Sequence, residues 1–386
     1  VRIRHGLHAD DTEATVAGVQ ALGAEVTRAD GALTVRCGGL HAAESIDARN
    51  SGTTLRLLTG IASTLDGPTV LTGDASLRKR PMALLLEALR ALGARARSRH
   101  GDGCAPVEVS GPLRGGAVAI AGSVSSQFVS SLLIASTLAR EATTVRVLPP
   151  IRSLPYVDVT LHMLDRFGIA VEEDRHDFRI ASGQMYRRVD IDVPGDFSSA
   201  AFPLVAAAIT RGDVTVDGLE PDVPQGDRRI VDILRAFGAH VDVMGDSVRV
   251  AGGSFRAQTI DIGDTPDLFP ILAVLATQAS GTSRFVNGEH LRIKESDRIA
   301  TTVGFLQAMG ASIEPTPDGC LVRGPSRLRE AFVDSQGDHR IVMAAAVAGL
   351  VADGPVDVGD PMAYRVSYPA FLDDLRGLGA SLEVVP

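Results

Sequence analysis

The run Lys294-Glu295-Ser296-Asp297-Arg298 gathers an amine, two carboxylates and a guanidinium within five positions. Its spacing predicts, if it opens a helix, that Lys294 and Arg298 stand one turn apart on one face, with Glu295 turned about 100° from Lys294. Two cations so placed repel, and an anion held between them removes the repulsion. Glu295 then supplies a carboxylate able to exchange protons with the bound group. Lys294 carries extra weight because it and Lys79 are the only lysines among 38 basic residues. An ammonium can give up its proton in a protein, whereas a guanidinium cannot. Taken in isolation, the run reads more simply as a solvated helix face with a Glu295–Arg298 salt bridge three apart, so the rest of the chain must decide.

The elements that would position this run are spaced regularly. A stop of the form (Leu/Phe/Met)-Gly-(Ala/Ile) ends a helical pattern at Gly23, Gly93, Gly168, Gly238, Gly310 and Gly379, in steps of 70, 75, 70, 72 and 69 residues. Such a pitch marks an internal repeat. Each glycine is expected at a helix C-terminus, in the left-handed conformation that glycine adopts without strain, ahead of a strand. A second strand follows a turn midway through each unit, as in Gly67-Pro68-Thr69-Val70-Leu71 and Gly281-Thr282-Ser283-Arg284-Phe285-Val286. Polar clusters marked by Ser51, Ser125, Ser198, Asp267 and Asp338 open the other helices in steps of 74, 73, 69 and 71 residues, and are read as N-caps. Helix N-termini gathered on one side attract anions even in an acidic protein. The repeat also predicts that the first unit is incomplete, lacking about 45 residues, since one more step lies before Val1.

Composition bounds the function. A chain of 386 residues with 45% hydrophobic and 22% charged content is long enough for two domains, each with its own core. No apolar run approaches the roughly 18 residues that span a bilayer, so no membrane partner is expected. The net charge of -9 argues against a nucleic-acid partner, which needs a broad basic surface. Cys37, Cys104 and Cys320 lie far apart, with no histidine at ligand spacing. Neither a disulfide framework nor a metal site is supported, and a cytoplasmic setting is expected. The domains are expected at residues 1–193 and 194–386, with the boundary where Asp192-Val193-Pro194-Gly195-Asp196 passes from a strand to the next polar cluster.

Two long motifs carry a resemblance. Asp47-Ala48-Arg49-Asn50-Ser51-Gly52-Thr53-Thr54-Leu55-Arg56 and Arg292-Ile293-Lys294-Glu295-Ser296-Asp297-Arg298 resemble the signatures of the 5-enolpyruvylshikimate-3-phosphate synthases. Gly73-Asp74-Ala75-Ser76-Leu77-Arg78-Lys79-Arg80-Pro81-Met82, Ser125-Ser126-Gln127-Phe128 and Asp338-His339-Arg340 support it, in order, over nearly the whole chain. The resemblance implies an α/β chain with the two-domain enolpyruvyl transferase fold: six βαβαββ-type units, three per domain, hinged over a cleft. It implies a monomeric transferase of aromatic amino acid biosynthesis that moves the enolpyruvyl group of phosphoenolpyruvate to the 5-hydroxyl of shikimate 3-phosphate and releases phosphate, without cofactor or metal. The alternatives are the related transferase acting on UDP-N-acetylglucosamine, and a binder of phosphorylated ligands that truncation of the first unit has left weakly active or non-catalytic. Cys104, in Gly101-Asp102-Gly103-Cys104-Ala105-Pro106, reads as a turn residue rather than the reactive loop cysteine of the former.

Residue by residue, the resemblance assigns phosphoenolpyruvate to Asn50, Gly52, Arg80, Gln127, Arg298 and Arg340, with Lys294 beside them. Shikimate 3-phosphate falls to Ser125, Ser126, Gln127, Ser153, Tyr156, Asp267 and Lys294. Asp267, Lys294 and Glu295 are the candidates for proton transfer, with their division of labour open. Gly52 is the small residue tied in the family to sensitivity to glyphosate, a phosphoenolpyruvate competitor. Three departures stand out. The family's opening Lys-Ser pair and following Arg would precede Val1, Val366 replaces a common lysine with Arg365 beside it, and His290 stands where other members carry Asn or Glu.

Overall fold

The computed structural model describes residues 1–384, and the chain divides into two compact units, Val1–Val193 and Pro194–Pro386. Unit 1 carries five helices: α1 (Asp10–Ala21), α2 (Gly52–Ala62), α3 (Ala83–Ala91), α4 (Ser126–Ser136) and α5 (Leu154–Arg166). Unit 2 carries α6 (Phe197–Thr210), α7 (Ile230–Phe237), α8 (Phe269–Thr277), α9 (Arg298–Ala308), α10 (His339–Gly349) and α11 (Phe371–Gly377). None is long and apolar enough to cross a membrane.

All six repeat glycines have positive φ, from 80° at Gly168 to 105° at Gly238, and each lies within two residues of the end of α1, α3, α5, α7, α9 or α11. The left-handed turn caps the last carbonyls and reverses the chain. A strand follows the first five of them. Four stretches have the element order βαβαββ. One runs from Ser45–Asp47 through α2, Thr69–Thr72, α3 and Arg95–Ser98 to Val107–Ser110; the others start at Gly116–Ala121, Ile191–Asp192 and Thr259–Asp261.

Four of the sheets share one strand order: a parallel pair whose second member runs antiparallel to a following hairpin. In the first of them the parallel pair joins Arg2–Arg4 to Ile191–Asp192, from the two ends of unit 1.

Two kinds of helix result. α3, α7 and α9 alternate apolar and exposed positions and cover the sheets. α6, α8 and α10 are buried on nearly every side, α8 at all nine positions, and they pack on one another in the centre of unit 2. Sequences such as Phe269-Pro270-Ile271-Leu272-Ala273-Val274-Leu275-Ala276-Thr277 have no polar face to give to solvent, so an interior place is their only stable one. Unit 1 centres instead on α2 and α4. A Cβ on Gly60 would lie 2.4 Å from Oγ of Ser131, so glycine is what lets these helices approach closely enough for Ser131 Oγ to donate to the Arg56 carbonyl at 2.7 Å.

Candidate active site

The central helices of unit 2 bring their N-terminal ends together. Arg340, second residue of α10, donates from Nη2 to Ser198 Oγ of α6 at 3.2 Å and to Asp267 Oδ2 at 2.9 Å. Asp267 sits in the 3-10 turn Pro266–Leu268 that leads into α8. Three helix heads therefore meet at one place, and the positive ends of their peptide dipoles point there before any side chain is counted.

Arg298 locks this place from the α9 side. Its Nη1 donates to Asp267 Oδ1 at 2.7 Å, its Nη2 to Glu295 Oε2 at 2.5 Å and its Nε to Asp338 Oδ2 at 2.9 Å. The side chain is 1% exposed and Asp338 is fully buried. Asp338 also accepts from Ser296 Oγ and caps α10 through the Arg340 N–H, each at 3.0 Å. Buried charges persist only when paired in this way. Arg298, Arg340 and Lys294 face Asp267, Glu295 and Asp338, three cations against three carboxylates.

The electrostatics follow from this crowding. Burial works to raise the Asp267 carboxyl, but Arg340, Arg298 and Lys294 outweigh it and hold the group well below the usual carboxylate range. Burial works against the charge of Arg298, and Asp338, Glu295 and Asp267 together hold its pKa well above the ordinary value. His339, next to Arg340, is pushed down to about 4 by burial and then by that cation, and so stays neutral near pH 7.

Unit 1 carries a second polar cluster, at the heads of α2 and α4. Ser51 caps α2 through the Thr54 N–H, and Ser125 caps α4 through the Gln127 N–H. Gln127 bridges the two heads, accepting from Arg56 Nη1 at 2.5 Å and donating to Thr53 Oγ1 at 2.8 Å. Arg80, 5% exposed, donates from Nη2 to Asn50 Oδ1 at 2.9 Å, and Asn50 in turn donates to Asp74 Oδ2 at 2.6 Å. Gly52 leaves the space where these groups converge: a Cβ there would lie 3.2 Å from Nη1 of Arg80, 3.4 Å from Nη1 of Arg56 and 3.6 Å from Oε1 of Gln127. Two guanidinium groups, an amide and two helix N-termini around so small a residue suit a compact anion.

The EPSP synthase (3-phosphoshikimate 1-carboxyvinyltransferase) family profile matches residues 1–375.

The chain belongs to the EPSP synthase family.

The 3-phosphoshikimate 1-carboxyvinyltransferase of Methanocorpusculum labreanum is 49% identical over 377 residues, 97% of this chain and 89% of the relative. That of Halobacterium salinarum is 44% identical over 392 residues, covering 99% and 91%. Among solved structures, EPSP synthase from Acinetobacter baumannii superposes with a TM-score of 0.82 at 29% identity, over 100% of this chain and 91% of that one. The two-domain α/β fold of this family is therefore the fold of the chain.

The structure groups the sequence-derived residues as follows. Asn50, Gly52, Arg80 and Gln127 come together in unit 1, with Ser125 and Ser126 buried at the head of α4. Ser153, in left-handed conformation at φ 59°, opens α5, and Tyr156 lies in its first turn. Asp267, Lys294, Glu295, Arg298 and Arg340 come together in unit 2. Arg365 is an exposed residue of the 3-10 turn Ala363–Val366, and His290 is 3% exposed in the turn Glu289–Ile293.

Three expectations are corrected. Lys294 and Arg298 do not share a helix face, because α9 begins at Arg298 behind the N-cap Asp297, and Lys294 lies in the loop before it. The Glu295–Arg298 pair three apart is present, but buried rather than solvated. Of the presumed caps, Ser198 is the second residue of α6, whose cap is Asp196, and Asp267 gives its carboxylate to two arginines instead of to backbone N–H groups. Asp338 and Arg56 lie in the motifs that carry the resemblance, but neither was given a part in the site. A cap residue that doubles as a buried counter-ion leaves no separate signal in the sequence.

Proposed function

We propose that this chain catalyses the family reaction, transfer of the enolpyruvyl group from phosphoenolpyruvate to the 5-hydroxyl of shikimate 3-phosphate with release of phosphate. The observation that carries the reading is the unit 2 cluster, where Asp267 is held between Arg298 and Arg340 at the meeting of three helix heads. Such a place combines anion binding with a carboxylate that stays ionised.

In this reading Arg298 and Arg340, with Arg80, Asn50, Gln127 and the backbone at Gly52, hold the carboxylate and phosphate of phosphoenolpyruvate. Guanidinium meets either group through paired hydrogen bonds. Ser125, Ser126, Gln127, Ser153 and Tyr156 hold shikimate 3-phosphate. The hydroxyl gives up its proton to the Lys294 and Glu295 pair as its oxygen bonds to the central carbon of phosphoenolpyruvate, and the methylene carbon of phosphoenolpyruvate gains a proton from that pair in exchange. The resulting tetrahedral adduct then expels phosphate and loses a methyl proton to leave the enol ether. Asp267, made weakly basic by its two arginines, suits the role of hydrogen-bond acceptor that aims the hydroxyl. Glu295 and Lys294 carry the proton transfers at carbon and at the leaving group. The protein acts in the cytoplasm as a monomer.

Phosphate release with phosphoenolpyruvate and either shikimate 3-phosphate or UDP-N-acetylglucosamine as acceptor tests the proposal. Release is expected with shikimate 3-phosphate alone. Turnover of the nucleotide sugar, or of neither acceptor by a folded protein, refutes it.

A further inference from the structure

The loop that carries Lys294 and Glu295 is neither helix nor strand, yet proton transfer requires both side chains to be held to within a fraction of an ångström. Its fixing point is Arg292. The Nη1 of Arg292 donates to Asp297 Oδ2 at 2.9 Å, its Nη2 to the Thr316 carbonyl at 2.7 Å and its Nε to the Pro317 carbonyl at 3.0 Å. Residues 293–296 are thereby enclosed between two ends joined by an ion pair.

Both anchors are themselves rigid. Asp297 accepts from the Ala300 N–H through its other oxygen at 3.0 Å and so caps α9. Thr316 ends a strand paired with Gly319–Gly324, and the turn between them is tied by Asp318, which accepts from the Asn287 N–H at 2.9 Å and from Thr316 Oγ1 at 3.1 Å.

We infer that Arg292 is a positioning residue for the proposed reaction: with Asp297 it closes the loop that presents Lys294 and Glu295. The inference rests on the functional reading above for the roles of those two residues, but not for the loop geometry. Only a planar fork reaches three acceptors in three directions, so lysine does not replace this arginine. Its side chain and that of Asp297 are about one-third exposed, at 35% and 36%, and an ion pair so placed contributes little to global stability. Its consequence lies in where the loop is held.

The test uses the full chain with Arg292→Lys, Asp297→Asn and the double variant. Asparagine keeps the helix cap and loses the ion pair. Each single variant is expected to lower kcat for phosphate release about tenfold, with the shikimate 3-phosphate Kd by calorimetry within twofold of wild type and an unchanged Tm. The double variant is expected to be no worse than the poorer single one, since both break the same bond. Amide hydrogen exchange at residues 293–296 is expected to quicken in all three. Wild-type kcat in both single variants, additive losses, or unchanged exchange overturns the inference. If the wild-type protein releases no phosphate, the functional reading fails, and the exchange measurement alone then decides whether Arg292 and Asp297 close the loop.

Discussion

Asp338 accepts a 2.9 Å hydrogen bond from Nε of Arg298 across 40 residues of chain, and neither side chain meets solvent. Removing the carboxylate strands a buried guanidinium charge. Asp338→Ala is therefore expected to destabilise unit 2 by about 3–5 kcal/mol, read from urea unfolding. A loss below about 1 kcal/mol would show that the pair is far less coupled than its burial implies.

Asp267 and Glu295 both lean on Arg298, but their proposed roles lie in the chemistry. Asp267→Asn and Glu295→Gln are each expected to lower turnover by about a hundredfold or more while shikimate 3-phosphate still binds. Phosphate-release kinetics paired with calorimetry measures both. Near-normal turnover in either variant removes that residue from the mechanism.

Gly52 lies at the start of α2 with ordinary helical backbone, so alanine there carries no conformational penalty and acts through space alone. Its methyl would press on Nη1 of Arg80 at 3.2 Å. Overpacking of about 1–3 kcal/mol corresponds to a KM for phosphoenolpyruvate raised roughly tenfold in Gly52→Ala. Glyphosate is expected to inhibit the wild type in competition with phosphoenolpyruvate and the variant less strongly. Equal KM values would mean that the ligand does not approach Gly52.

His339 ties stability to pH. The unfolded chain takes up a proton on this residue below about 6.5, whereas the folded protein does so only near 4. Between those values the unfolded state binds more protons, so stability falls as pH is lowered and the penalty is absent above the unfolded value. At pH 5 the cost relative to pH 7 is about 2 kcal/mol. In His339→Gln the same drop in pH is expected to cost less by about that amount, as urea unfolding at the two pH values will show. An identical slope in both proteins would assign the pH dependence to other groups.

The periodic part of this fold was readable in the residues, because a helix end that needs a left-handed turn writes glycine at Gly23, Gly93 and their successors. Backbone geometry leaves such marks wherever it recurs. The site was legible as a set of residue types but not as a set of contacts. Arg298 looked like the neighbour of Lys294 and Glu295, whereas two carboxylates from distant stretches of chain also hold it, Asp267 at 31 positions and Asp338 at 40. Side-chain charge says what a residue can bind, while its partner is chosen by tertiary packing. The start of α9 at Arg298 was hidden as well, since Asp297, its cap, stands among other polar residues of the same run that could open a helix.

The pairing of Ile3 with Ile191 and of Arg4 with Asp192 makes a closed circuit of the chain that runs between them. During synthesis that clasp has nothing to grip until the ribosome has delivered residue 192. The hairpins inside the circuit need only nearby chain and can form as they emerge. Cutting the chain just before Asp190 would leave those hairpins intact while opening the edge of Arg2–Arg4, an invitation to pair with another molecule rather than with itself.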